Sequence, residues 1–600
     1  MGHLLRSWFA SLALAGAFSW AAMAAGLHVP TGRIPFQSYG AAQGLENLAV
    51  WSMEQDAEGF LWVGTEDGLF RYDGQRFQAF RQDAGLQNTW VRALCPAGPG
   101  RLWIGTTRGL ALREKGRIRL LGEAEGLPPA EVFALALDGA GRLWVATERG
   151  LFRERRDHRG FEGAPGWPTN ALARALWMDG QGVYVTSQAR LFRYPSGEAQ
   201  APMEIPGPWR ERLDAVVKDR QGRLWVRSRG GLWMRPGPEA PFQDLGKRVG
   251  PAAYDGALRL TAKGTLMIPS AVGLMRVRGE SWEFIGEAEG LPTPYVNRTL
   301  EDREGCLWVG GQGLHRNLSR EVWRQYTHQN GITGGVVWSI LRDGRGRILA
   351  GTINGISEAR DGQWQMVPGT RDQAFLSLAL APDGAVWAGG APARLRRWVP
   401  GTSQWLELPR PVSTITSLAF DARGILWVAT RREGLFRVEK RGSAYASEPF
   451  PLPGAQPGER VLNLYSGREG RLWLTSTNGL LVREGGQWRR LGTDQGLKAA
   501  RLLAMHECAN GDLWISYQDL QGLSRYRYGN GHLALQEHLD PSRGFVARKA
   551  YSLQEDALGR LWVGTSQGAA LFEGGQFHYF GVADGLPGED CNGSAFLADP

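Results

Sequence analysis

The sequence predicts an all-β fold: two consecutive seven-bladed β-propellers of four-stranded antiparallel blades, the second lacking its last blade in this sequence. Three observations carry that expectation. One phrase returns thirteen times along the 600 residues, at intervals of 38 to 48 and most often 41. Apolar residues arrive in short bursts between turn formers, in a chain with 83 Gly and 25 Trp, as β structure requires. A unit of about 40 residues has room for four short antiparallel strands, which is the size of a propeller blade.

The phrase first reads Asp56, Gly59, Leu61, Trp62, Val63, Gly64, Thr65 and then Gly68, Leu69. Its hallmark tryptophans are Trp62, Trp103, Trp144, Trp225, Trp308, Trp387, Trp427, Trp473, Trp514 and Trp562. Tyr184, Met267 and Leu349 hold the same place in degenerate copies. These side chains are structural hallmarks, large groups that fill the space between neighbouring sheets.

Taken in order, each unit opens on an apolar burst such as 132–135 or 337–340, the first strand. An Asp-x-x-Gly turn follows. Asp at the first turn position bonds the backbone two residues on, and Gly at the fourth tolerates conformations that a side chain resists. Asp138, Asp343, Asp383, Asp421 and Asp556 are read as turn formers on this ground. The hallmark strand alternates, with Leu61 and Val63 on one face and Trp62 on the other, as a pleat dictates. A second turn ends in Gly-Leu, the third strand covers 69–72, and the fourth carries an aromatic, as at Phe77, Trp364 or Phe577. Gly-Leu-Pro at 126–128, 290–292 and 585–587 then leads to the next unit.

Thirteen units exceed the four to eight blades of one propeller, so the array is expected to divide. Seven hallmarks run from Trp62 to Trp308, an irregular segment covers 315–324, and six more run from Leu349 to Trp562. The expected domains are a signal peptide at 1–24, a first propeller at 25–320, and a second at 321–600 with six blades and the start of a seventh. The start is 591–600, where an inner strand leads to Asp599, and the chain is expected to continue naturally beyond Pro600. Segment 34–45, with Phe36 and Tyr39, reads as an outer strand without its blade and is expected to close the first ring.

Arg6, an apolar run over 8–22 and the small-x-small site Ala22, Met23, Ala24 are laid out as a signal peptide cleaved after Ala24. The apolar run is short for a membrane span. Export, with a periplasmic location, is the resulting expectation. The formal charge of +9 comes from basic residues, nearly all Arg, scattered through the turns of every repeat. That is a solvated basic surface, and nucleic acid is not an expected partner. Cys95, Cys306, Cys508 and Cys591 lie far apart with no C-x-x-C pair, so neither a zinc nor a redox motif is indicated and single buried thiols are expected. Of nine His, His315, His328 and His506 are assigned to surface or packing. Asn592, Gly593 and Ser594 match a glycosylation sequon, a triplet that is common by chance.

On these residues the sequence resembles the two-component regulator propeller repeat family, from about Ile34 to Pro600. The resemblance implies paired propellers forming the periplasmic sensor of a membrane receptor, whose cytoplasmic output is a hybrid or sensor histidine kinase or a GGDEF diguanylate cyclase outside these residues. The implied partners are an unidentified extracytoplasmic ligand, with carbohydrate as a candidate class, the membrane through a segment beyond residue 600, and a second copy in a homodimer. Two other classes stand beside it. One is a secreted propeller that binds carbohydrate or protein. The other is a propeller hydrolase or lyase, but a sialidase Asp box has one residue fewer between Asp and Gly than Asp138 and Gly141 do. No catalytic residue, cofactor or metal site is assigned.

Overall fold

The computed structural model describes residues 32–597 apart from 81–85, 87–88, 169–170, 196–200, 319–322, 361–362, 403, 410 and 593–594. Ala24 and its leader lie outside the described residues. The rest is all-β, in thirteen four-stranded antiparallel sheets. We number the sheets by their hallmarks, from sheet 1 at Trp62 to sheet 13 at Trp562.

After β1 (Phe36–Tyr39), sheet 1 shows the plan: β2 (Val50–Gln55), β3 (Leu61–Thr65), β4 (Gly68–Tyr72) and β5 (Phe77–Ala79), paired in that order from the inner edge outward. All five residues of β3 are buried. Its glycine is set by closeness, because a Cβ on Gly64 would lie 2.6 Å from Cγ1 of Val91 in the next sheet. Gly59 closes the turn before it at a φ of 96°, a left-handed conformation that glycine adopts without steric cost.

The chain divides into two compact units, and in one of them, Arg33–Arg324, the hallmarks close a circle. Trp62 packs on Val91, Leu102 and Ile104 of sheet 2, and Trp103 on Val132, Leu143 and Val145 of sheet 3. Trp144, Tyr184, Trp225 and Met267 pass the contact on in the same way. Trp308 of sheet 7 then packs on Val50, Met53, Leu61 and Val63 of sheet 1. Burying one apolar face per sheet against the next lets short sheets share a continuous core.

Sheet 7 takes its outer strand from the other end of this unit. β1 pairs antiparallel with Gly313–Asn317, Phe36 opposite Asn317 and Tyr39 opposite Leu314. This corrects the reading of 315–324 as irregular: His315, Arg316 and Asn317 are the third strand of sheet 7. The repeat pattern fades there because the partner strand lies 277 positions away, where Ser38 Oγ meets His315 Nδ1 at 2.9 Å. Closing a sheet with the other chain end removes an exposed edge.

The second unit, from Gln325 on, holds sheets 8 to 13. Leu349, Trp387, Trp427, Trp473 and Trp514 each pack on the following sheet. Trp562 of sheet 13 is half-buried and stacks on Phe580, 5.8 Å between centroids. Beyond it, Cys591 N donates to Thr565 O at 3.1 Å, and Asn592 Nδ2 donates to Val337 O of sheet 8 at 2.8 Å. The first unit makes the same bond where sheet 7 meets sheet 1, from Asn297 Nδ2 to Val50 O at 3.1 Å.

Candidate functional site

The recurring turn does more than reverse the chain. In sheet 5, Asp219 Oδ1 accepts the backbone N–H groups of Gln221 and Arg223, both at 3.0 Å, while Oδ2 accepts Trp225 Nε1 at 2.8 Å. Asp56, Asp138, Asp302, Asp421 and Asp556 hold Trp62, Trp144, Trp308, Trp427 and Trp562 in the same way. One carboxylate thus closes the turn and satisfies the buried indole N–H, which would otherwise carry a desolvation penalty. The spacing of six residues between the two was visible in the sequence, but the hydrogen bond between them was not inferred.

Departures from this bracket have individual solutions. Gly467 stands in for Asp before Trp473, whose Nε1 donates instead to Glu507 Oε2 of the next sheet at 2.7 Å. Asp383 sits two turn positions later than the others, accepting from Ala385 N at 3.1 Å and pairing with Arg397 at 2.6 Å. Asp343 keeps the turn but bonds Arg347 at 2.7 Å, as Leu349 offers no N–H. His315 is buried, His328 exposed and His506 half-buried; the four cysteines are free thiols, Cys306 and Cys508 buried, Cys95 and Cys591 half-buried.

The feature that periodicity hides lies on the axis of the first unit. The inner strands of sheets 1, 2, 3, 5 and 7 each carry a β-bulge near their start, at Trp51, Arg92, Phe133, Asp214 and Asn297. Each is eleven residues before its hallmark, and Arg174 and Asp255 hold the matching place in sheets 4 and 6, ten and twelve before theirs. A bulge re-aims a side chain away from the regular pleat. Here seven sheets present seven side chains of five kinds at one end of the ring.

Ion pairs show the convergence directly. Asp255 of sheet 6 meets Arg92 of sheet 2 at 2.7 Å and Arg174 of sheet 4 at 2.6 Å, although neither sheet adjoins its own. Arg174 and Arg212 pair with Asp214 at 2.8 and 2.9 Å, and Arg92 with Glu131 at 2.7 Å. Burial raises the Asp255 pKa, but Arg174, Arg298, Arg92 and Arg212 outweigh it and leave the carboxyl below its usual range. Burial lowers the pKa of Arg298 in the same network.

Aromatic groups cap the network. Trp51 stacks on Trp90 with centroids 5.4 Å apart and tilts against Tyr254 at 5.4 Å. Arg92 lies 5.0 Å from the Trp51 ring centre, and Arg174 4.8 Å from that of Phe133. Trp90 is 37% exposed, Tyr254 45% and Tyr295 43%, which makes an apolar rim around a polar centre, the form of a binding surface. Beside it a cavity of about 240 Å³ is lined by Trp51, Glu66, Tyr254, Asn297 and Gln312 among others, and Trp51 Nε1 donates to Glu66 Oε1 at 3.2 Å. Flat aromatic faces with a carboxylate and amides suit a ligand that offers apolar faces and hydroxyl groups together.

Four stretches of the chain, 44–67, 85–108, 126–149 and 290–313, match the model described as "Two component regulator propeller". No curated protein matches the chain at a significant level. Among solved structures, the extracellular domain of BT3049 from B. thetaiotaomicron, described as a hybrid two-component system, is 19% identical with a TM-score of 0.71, covering 94% of this chain and 81% of that one. The extracellular domain of BT4673 from the same organism, described likewise, is 18% identical over 92% of this chain and 79% of that one, with a TM-score of 0.41. At that identity the BT3049 likeness speaks for the fold. No helix among the described residues is long and apolar enough to cross a membrane. In those four stretches this all-β chain is similar to the repeat of the two-component regulator propeller family.

Proposed function

We propose that the chain is the extracytoplasmic ligand-sensing region of a bacterial transmembrane signalling receptor, which passes a binding signal to a cytoplasmic histidine kinase or diguanylate cyclase outside these residues. The family match and the fold shared with the BT3049 extracellular domain support this class. On this reading the chain forms two seven-bladed propellers, and the closing blade of the second begins at Cys591 and Asn592, whose contact with Val337 repeats that of Asn297 with Val50. The ligand site is the axial mouth of the first unit and the ligand class is carbohydrate.

The observation that carries the ligand site is the exposed aromatic rim of Trp90 and Tyr254 over a hydrogen-bonding cavity. Sugar rings present C–H faces that stack on aromatic side chains, while their hydroxyls need the carboxylate and amides beside them. The test is an array of neutral and uronate-containing oligosaccharides probed with the purified chain. Binding of one class that Trp90→Ala and Tyr254→Ala each weaken at least tenfold supports the proposal. No bound oligosaccharide, or binding that both variants retain in full, overturns it.

A further inference from the structure

The junction of sheets 12 and 13 gathers three side chains that the repeat brings together nowhere else among the described residues: His506, Cys508 and Glu555. His506 lies in the inner strand Leu502–Glu507, and Glu555 ends the inner strand Ala550–Glu555. Cys508 occupies the turn position that Asp holds in most sheets, its N–H bonded to Asp512 O at 2.8 Å and its carbonyl accepting Gly511 N at 2.9 Å. The turn therefore survives without the carboxylate, and the thiol faces the next sheet instead.

One atom from each residue, a His nitrogen, the Cys sulfur and a carboxylate oxygen, lies within 4.8 Å of the other two. The groups are already oriented. His506 Nε2 accepts the Glu555 N–H at 3.2 Å, which fixes the ring beside Glu555 and is a bond that a metal on that nitrogen would replace, and Glu555 Oε2 accepts Ala509 N at 2.6 Å. Cys508 is 4% exposed. Burial, with the Glu555 and Asp512 charges, pushes its thiol up to about 12, and burial lowers the His506 pKa against the opposing pull of Glu555 and Glu507.

We infer that His506, Cys508 and Glu555 form a binding site for a divalent transition metal of the zinc class. One nitrogen, one thiolate and one carboxylate suit a borderline-soft cation, and three protein ligands leave the fourth tetrahedral position to water. Zinc bonds of about 2.0–2.3 Å place ligand atoms roughly 3.3–3.8 Å apart, so ligand atoms that lie within 4.8 Å of one another need only a small closing movement on binding. The Cys508 proton leaves to solvent as the metal–sulfur bond forms, which makes binding pH-dependent. The metal ties sheet 12 to sheet 13 where the Asp–Trp bracket of sheet 12 is missing.

The experiment takes the purified full chain, stripped with a chelator, and titrates it with Co²⁺ while following the thiolate-to-cobalt charge-transfer absorption. One cobalt per chain with that absorption, displaced by Zn²⁺, is the expected result. Cys508→Ser is expected to lose the absorption, and His506→Gln and Glu555→Gln to weaken binding at least tenfold, while Cys306→Ser keeps it. Absence of the charge-transfer band in the unsubstituted chain, or its persistence in Cys508→Ser, overturns the site. Because the unsubstituted chain carries that first test, misfolding of a variant does not protect the inference.

Discussion

The unit Arg33–Arg324 and the unit from Gln325 on are built from the same phrase, yet they differ at the axis and at their last sheets. At the bulge position the first unit places Trp51, Arg92, Phe133, Asp214 and Asn297, with Arg174 and Asp255 beside them. The second places Trp338, Leu376, Thr416, Leu462, Leu503 and Tyr551, with no charged group among them. In the last sheet of each, Trp308 is 2% exposed against sheet 1, whereas Trp562 is half-buried. Residues that must pack on a neighbour repeat, and residues that face only the axis are free to differ. The second set is where one ring acquires chemistry that the other lacks.

Several substitutions would break or sharpen this contrast, and urea unfolding reads them because two units give two transitions. The largest effect is expected at closure. Tyr39 is buried against Tyr72, Phe77 and Trp308, and Tyr39→Ala is expected to cost the first unit about 3–5 kcal/mol and leave the other transition in place. Trp308→Ala belongs in the same range, but Trp562→Ala, from a half-buried position, is expected to cost about half as much. Equal losses would erase the difference between the two last sheets.

At the axis, Asp255→Ala leaves Arg92 and Arg174 without their shared carboxylate, and breaking a buried pair this way costs about 3 kcal/mol. Leu462→Ala at the equivalent place in the second unit removes only packing, about 2 kcal/mol. A smaller effect tests the bracket. Asp219→Ala deletes an acceptor of four hydrogen bonds and is expected to cost about 2 kcal/mol. Restoring Asp at Gly467 is expected to destabilise, because a Cβ there meets Glu507 Oε2 at 2.3 Å and the buried Trp473 ring at 2.6 Å; Glu507→Ala in the same chain should relieve only the first of these contacts.

The pH dependence has the smallest contrast. Burial opposes ionisation at Asp138, Asp255 and Asp556, yet hydrogen bonds or guanidinium groups leave all three below the ordinary carboxylate pKa. A depressed folded-state pKa gives stability that is full above the unfolded value of about 3.9 and disappears as pH falls through the folded value. Both units should therefore weaken between about pH 4 and pH 2. Asp302 acts oppositely, since burial raises its pKa and acid relieves its cost. Urea midpoints that do not fall over this range would contradict the assignments.

The sequence alone determined the thirteen sheets, the strand order within each and the packing role of the hallmarks. These depend on contacts inside a sheet or with the next one, so every copy repeats the same residues and the period exposes them. Closure by β1, the axial network and the His506, Cys508, Glu555 cluster were decided by the tertiary structure. Phe36 and Tyr39 were legible as an unpaired strand, but their partner became definite only when sheet 7 came round to β1. Nothing in the sequence set Asp255 apart, and His506 read as a surface or packing histidine. Arg92 and Asp255 stand 163 positions apart and meet because a ring brings non-adjacent sheets to one axis. Periodicity reports what the repeats share, and it is silent about positions where they differ and whose neighbours are set by closing the circle.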